Sequence, residues 1–335
     1  MKEVIPSYKF QKEKRKYFTL EIIDTDEQFF NFMKALPKLY NDEQGIWRGL
    51  PESRFKLYNS LQRKNLINRE LNSVEDVYDF IIQSTNELTE WNKRLIPGYF
   101  SNFGIDDLHV YAKLSILQHY GIPSPLLDWT ITPNIALYFA TLPHNEILSD
   151  NEIDNFFSIY FFDKEHPYFK LNSKTIYEMP LLDKSFDNEE FYRFVKSGKY
   201  LHREILGSPI HRIDDSRNDK INHYTKSNYN ITAQNGLFII NADPYLPLEE
   251  AILHRINSPI IKRNEDDPID EWEKRNRENL ICFDIHKKFI PLILEVLNSN
   301  EVNITKETMF PDFKRLKDEI TFEKINKNIR SNDKN

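Results

Sequence analysis

The sequence predicts an α+β fold: a mixed central sheet, helices on the N-terminal side and a helical segment added at the C-terminus. Three observations predict it. The first part of the chain places apolar residues at helical spacing. The later part holds continuous apolar runs of strand length, FFSIYFF at 156–162 and GLFII at 236–240 among them, which need cover on both faces. Aromatic residues make up 13% of the chain, so large rings let a 40% hydrophobic fraction fill a core.

Taken in order, Asp24, Thr25 and Asp26 open a segment with Phe29, Phe30, Phe32, Met33 and Leu36 on one face, which predicts a helix ending near Tyr40. Ile46 and Trp47 lead as a short strand into Arg48-Gly49. Ser73 and Asp76 form a capping-box pattern ahead of Val74, Val77, Tyr78, Ile81 and Ile82, predicting a helix to about Trp91. Pro97 and Gly98 then break the chain. Leu108, Tyr111, Leu114, Ser115, Gln118 and His119 share a further helix that Gly121 ends in the left-handed conformation. Thr132-Pro133 starts another, a hydroxyl cap with proline in the first turn. Runs 156–162, 236–240 and 280–285 are strands, and Ile290 to Leu297 a helix. The polar stretches 142–155, 163–190 and 208–230 read as surface excursions, the last as a candidate lid. The domain organisation expected is an N-terminal arm over 1–24, a single domain over 25–318 and a polar tail over 319–335.

Composition excludes several classes. Cys282 is the single cysteine, so no disulfide within the chain and no cysteine-rich zinc site can form. Beside Ile281 and Phe283 it reads as a small buried hydrophobe. Nine histidines fall in no HExxH or zinc spacing, and no structural metal is expected. No run reaches the roughly 18 to 20 apolar residues of a membrane span, and the first residues lack a signal-peptide core. A cytoplasmic protein without a membrane partner is expected. The net charge of −7 gives no overall basic face, and the short run Lys12, Lys14, Arg15 and Lys16 reads as a solvated arm. The absence of GxGxxG and GxxxxGK[ST] excludes the usual phosphate-cradling loops, and with them a doubly wound dehydrogenase and a nucleotide kinase.

Glycine is scarce, 8 in 335 residues, so each one calls for a reason. Three lie in the densest motifs: Gly49 in WRGL, Gly121 in QHYGIPSPLLDWT and Gly236 in QNGLF. The second motif concentrates directional side chains. Asp128 accepts hydrogen bonds, His119 donates or accepts near neutral pH, and Trp129 can stack on a flat ring. Each has a structural alternative: a helix cap for Asp128, a bond to a backbone carbonyl for His119, a core position for Trp129. Together they read as a site.

The run LSILQHYGIPSPLLDWTITPNIALYFA resembles the central signature of the FRG domain family. WRGL at 47–50 is similar to its N-terminal motif, AQNGLF at 233–238 to its Q-x-G-x-F element, and Ile281 to Phe313, with Met309 to Asp312, to its C-terminal segment. Ser124 stands where threonine is commoner, and Leu50 departs from the glutamine often seen. The resemblance spans about residues 25 to 318. The motif order is in turn similar to that of ADP-ribosyltransferases and implies such a core. Arg48-Gly49, Trp129-Thr130 and Gln234 would then fill the family's three motif places. The usual catalytic glutamate is not apparent next to Gln234, so His119 or Asp128 would serve as base.

The expected function is therefore an enzyme with NAD as substrate, an ADP-ribosyltransferase-like effector or toxin in bacterial defence. It would act on a macromolecular acceptor and have an antitoxin or immunity partner. Arg48 would hold the diphosphate or a ribose with its fork of donors. Gly49 would admit the nicotinamide amide closely, an aromatic, Trp129 or Tyr138, would stack on the ring, and Thr130 would belong to the same cofactor-binding set. Asp128 would stabilise an oxocarbenium-like charge and His119 would take the acceptor's proton. The structural alternatives are an ion pair for Arg48 and satisfaction of a buried backbone group for Gln234. Two other functions fit the same residues: a nucleotide or nucleic-acid binding module without catalysis, and a toxin nuclease using His119 and Asp128.

Overall fold

The computed structural model describes residues 5–41, 45–91, 110–119, 121–142, 149–163, 210–213, 229–256 and 280–311. The expected polar tail, the Pro97-Gly98 break, residues 164–190 and most of the candidate lid lie outside these residues. The described strands are β1 (Thr19–Ile23), β2 (Gly45–Leu50), β3 (Leu126–Thr130), β4 (Phe156–Asp163), β5 (Ile210–Ile213), β6 (Gly236–Asn241) and β7 (Leu280–His286). They form one seven-stranded sheet in the order β1-β7-β4-β2-β3-β6-β5. β1 and β7 run parallel, and the other neighbours are antiparallel, so the sheet is mixed as predicted.

Strand alternation sorts the core into two faces. On one face, Leu127 and Trp129 of β3, Tyr160 and Phe162 of β4, and Cys282 of β7 pack with Phe18, Leu57 and Leu248. On the other, two groups of helices cover the two halves of the sheet. Helices α1 (Asp26–Asn41), α5 (Pro133–Thr141) and α8 (Ile290–Leu297) pack over Phe157, Ile159 and Ile285. Helices α2 (Ser60–Asn68), α3 (Val74–Trp91) and α4 (Val110–His119) pack over Leu126, Phe238 and Ile240.

The central joint of the sheet is its weakest. β2 pairs with β4 through six residues, from Gly45 opposite Asp163 to Leu50 opposite Ser158. β3 pairs with β6 through five. Between β2 and β3 a single pair remains, Trp47 opposite Thr130. Beyond it the strands part, where the two helix groups also separate. Gly49 lies at this opening for a packing reason: a Cβ there would sit 1.9 Å from the Ala136 carbonyl oxygen, so only glycine lets α5 approach β2.

Most boundaries follow the sequence patterns. Ser73 and Asp76 cap α3 reciprocally: Asp76 N–H donates to Ser73 Oγ and Ser73 N–H to Asp76 Oδ2. Gly121 ends α4 with φ of 81°, and its N–H donates to the Gln118 carbonyl. Thr132 precedes α5, but its hydroxyl makes no cap bond. Instead it accepts from Asn235 Nδ2. The N-terminal segment corrects the solvated-arm reading in part: Lys12, Arg15 and Lys16 are exposed as expected, but the segment folds onto the sheet and buries Lys14. Gln11–Lys16 is a 3₁₀ helix, and Thr19–Ile23 is an edge strand of the sheet. Lys14 is fully buried, its Nζ 2.6 Å from Asp284 Oδ1 and bonded to Ser53 and Ser158 hydroxyls. Within the expected excursion at 208–230, Ile210–Ile213 extends the sheet beside β6. No helix among the described residues is long and apolar enough to cross a membrane.

Candidate active site

A pocket of about 360 Å³ opens over the parted ends of β2 and β3. Every residue singled out above for catalysis or substrate binding lines it except Tyr138. They arrive from β2, from α4 and β3, which are near neighbours in the chain, and from the end of a short helix α6 (Tyr229–Ala233) much further along it.

The architecture explains this convergence. Asp128 and Thr130 lie on the helix-covered face of β3, while Leu127 and Trp129 point to the opposite core. Where β3 has lost its β2 partner, the Asp128 carbonyl has no ladder donor, and Arg48 supplies one: its Nη1 donates to that oxygen. The Arg48 guanidinium thus spans the opening. Its Nε is buried with no hydrogen-bond partner among the described residues. Burial pulls its pKa down and the nearby Asp128 pushes it up, and it remains a cation. The ion-pair alternative for Arg48 is therefore replaced by a bond to main chain.

The Asp128 carboxyl opens onto the pocket yet lies deep among protein atoms, and this desolvation pushes its pKa up from the ordinary carboxylate range. Arg48, a hydrogen bond from Gln118 and Arg63 pull the other way. Gln118 Nε2 donates to Asp128 Oδ1 at 2.6 Å, and Gln118 Oε1 accepts from Ser124 Oγ at 2.6 Å. His119 is exposed at the end of α4, with Asn230 Nδ2 3.0 Å from its Nδ1. The site thus holds a cation, a carboxylate and an imidazole around one space, the set required to grip an anionic group and move a proton.

Four expected roles change. Trp129 is buried, packs on Phe162 with ring centroids 4.4 Å apart, and touches the pocket only from the far side of its strand; it cannot stack on a bound ring. Tyr138 is buried among the helices, one position away from the pocket-facing Phe139 on α5. Phe139 and Phe310 supply the aromatic wall, meeting edge to face at 6.0 Å. The Thr130 hydroxyl is committed to structure, donating to the Gln234 carbonyl and accepting from Thr132 N–H. Gln234 itself is buried and its Nε2 donates to the Met309 carbonyl at 3.0 Å, the structural alternative named for it. Gln118 and Asn230 escaped the list of roles. Gln118 stands inside the QHYG motif, whereas nothing local to Asn230 marks it.

Residues 43–147 match the family model of the FRG domain. The match covers β2 to α5 and takes in both WRGL and the QHYGIPSPLLDWT motif; Gln234 and the 309–312 segment fall outside it. No curated protein and no solved structure matches the chain at a significant level.

Proposed function

We propose, on the premise that residues 43–147 are an FRG domain, that this chain is an ADP-ribosyltransferase-like enzyme that cleaves NAD. The observation that carries this reading is the convergence of Arg48, Asp128 and His119 on one pocket at the parted joint of β2 and β3. Arg48 would hold the diphosphate, for which its fixed fork of donors suits anionic oxygens. Phe139 would lie against the nicotinamide ring. The C1′–N bond breaks and nicotinamide leaves with the bonding electrons, so positive charge grows on the ribose. Asp128 opposes that charge at short range in a site partly shielded from water. The acceptor atom then bonds C1′ and gives its proton to His119, which acts as the general base. Gln234 takes no part in this scheme, because its side-chain amide is held by the Met309 carbonyl. An acceptor of macromolecular size, a role as a toxin in bacterial defence and an antitoxin or immunity partner belong to the same proposal.

The test is nicotinamide release from NAD by purified protein. Wild type releases it; Arg48→Ala and Asp128→Asn lose at least about 100-fold, the scale of one electrostatic contact to a transition state. The Arg48→Ala protein stays folded, losing about 1 to 3 kcal/mol for one charge-assisted bond. NAD bound tightly without release would instead support a nucleotide-binding module. Degradation of RNA or DNA that disappears in His119→Ala would support a nuclease.

A further inference from the structure

Gln118 joins two groups whose positions are set independently. Ser124 is fully buried in the turn before β3, and that turn is pinned by the start of α2. Ser124 N–H donates to Ser60 Oγ at 2.9 Å, and its carbonyl accepts from Ser60 Oγ at 3.2 Å and from Leu61 N–H at 3.1 Å. Asn59 Nδ2 adds a bond to the Pro125 carbonyl at 3.2 Å. The Ser124 hydroxyl already accepts from Leu126 N–H at 3.0 Å, and its single proton goes to Gln118 Oε1. An amide whose oxygen is so engaged offers its nitrogen at the other end. That nitrogen meets Asp128 Oδ1.

We infer that Ser124 and Gln118 are positioning residues for Asp128: the serine hydroxyl sets which end of the glutamine amide faces the carboxylate, and the amide holds one carboxylate oxygen while the second is left to the pocket's ligand. The relay joins three positions of one motif, LQHYGIPSPLLD, and spans from the buried turn to the pocket. It depends on the hydroxyl and not on the size of the side chain, so threonine at position 124 does the same work. The identity of the ligand facing the second oxygen, the ribose of NAD, rests on the function proposed above; the relay does not.

The experiment follows the Asp128 carboxyl by carbon-13 NMR titration in the ligand-free protein, for wild type, Ser124→Ala, Ser124→Thr and Gln118→Met, alongside nicotinamide release. Losing a donor to a carboxylate disfavours its charged form, so the midpoint moves up in Ser124→Ala and Gln118→Met and stays in Ser124→Thr. Among the described residues, the charged and titratable groups around Asp128 are Arg48 of β2, Arg63 of α2 and His119 of α4, and the variants leave all of them in place. Nicotinamide release falls about tenfold or more, in kcat rather than KM, with its acidic limb displaced upward. Gln118→Met keeps the test intact if Ser124→Ala does not fold. A midpoint unmoved in both variants overturns the inference. A midpoint that moves in a protein releasing no nicotinamide supports the positioning role and removes the NAD-cleaving reading instead.

Discussion

Glu249 shows how a single residue couples this fold to pH. Its carboxyl is buried on α7 (Leu248–Ile256) and accepts from the Tyr8 hydroxyl at 2.7 Å and from Leu57 N–H. Burial raises its pKa from 4.5 to about 7, against the pull of those donors. The folded protein therefore binds this proton more tightly than the unfolded chain. The associated stability is present in full below pH 4.5 and is lost as pH rises through 7. Its scale is about 3 kcal/mol for such a shift. Thermal melts of wild type and Glu249→Gln at pH 5 and pH 8 should show wild type losing stability relative to the variant at the higher pH. Equal changes in the two proteins would show that Glu249 does not titrate in this range. The sequence PLEEAIL marks this residue only as an acid in a first helical turn; that it faces inward depends on Tyr8, 241 residues away.

At the level of elements, the same problem recurs in the N-terminal segment. KEKRKY reads as solvated because charge runs usually are. Here one lysine of the run reaches into a cage of Ser53, Ser158 and Asp284, each from a different part of the chain. Removing the cation leaves Asp284 buried without its partner, and breaking such a pair costs about 3 to 5 kcal/mol. Lys14→Met should fall in that range by denaturant unfolding, and adding Asp284→Asn should recover part of the loss. A Lys14→Met protein as stable as wild type would show that the segment does not hold the sheet edge. Elements whose signals are local were readable: the apolar runs became β4, β6 and β7, and the capping box and Gly121 bounded α3 and α4 where expected. Elements set by distant partners were not. β1 and β5 are short edge strands that form by pairing with β7 and β6. α2 carries little amphipathic pattern because Asn59, Gln62 and Asn65 bury polar side chains against residues 241–246.

At the scale of the whole molecule, the pocket depends on the sheet being divided. Two helix groups each cover half of it, and the single β2–β3 pair leaves room between them. The motifs that line this room were legible as motifs, and Arg48, Asp128 and His119 do meet there. The facing of individual residues was less legible. One-residue phase decides that Asp128 presents its carboxyl to the pocket while the Trp129 ring packs in the opposite core, and that Phe139 rather than Tyr138 forms the wall. Gly49 carries a similar lesson: its motif pointed to a ligand, while its missing Cβ admits the carbonyl of Ala136. The most direct test of the account is a crystal structure of the protein with NAD. It should place the nicotinamide ribose between Arg48, Asp128 and His119, with the ring against Phe139. A dinucleotide bound on another surface, or none bound at saturating concentration, would contradict it.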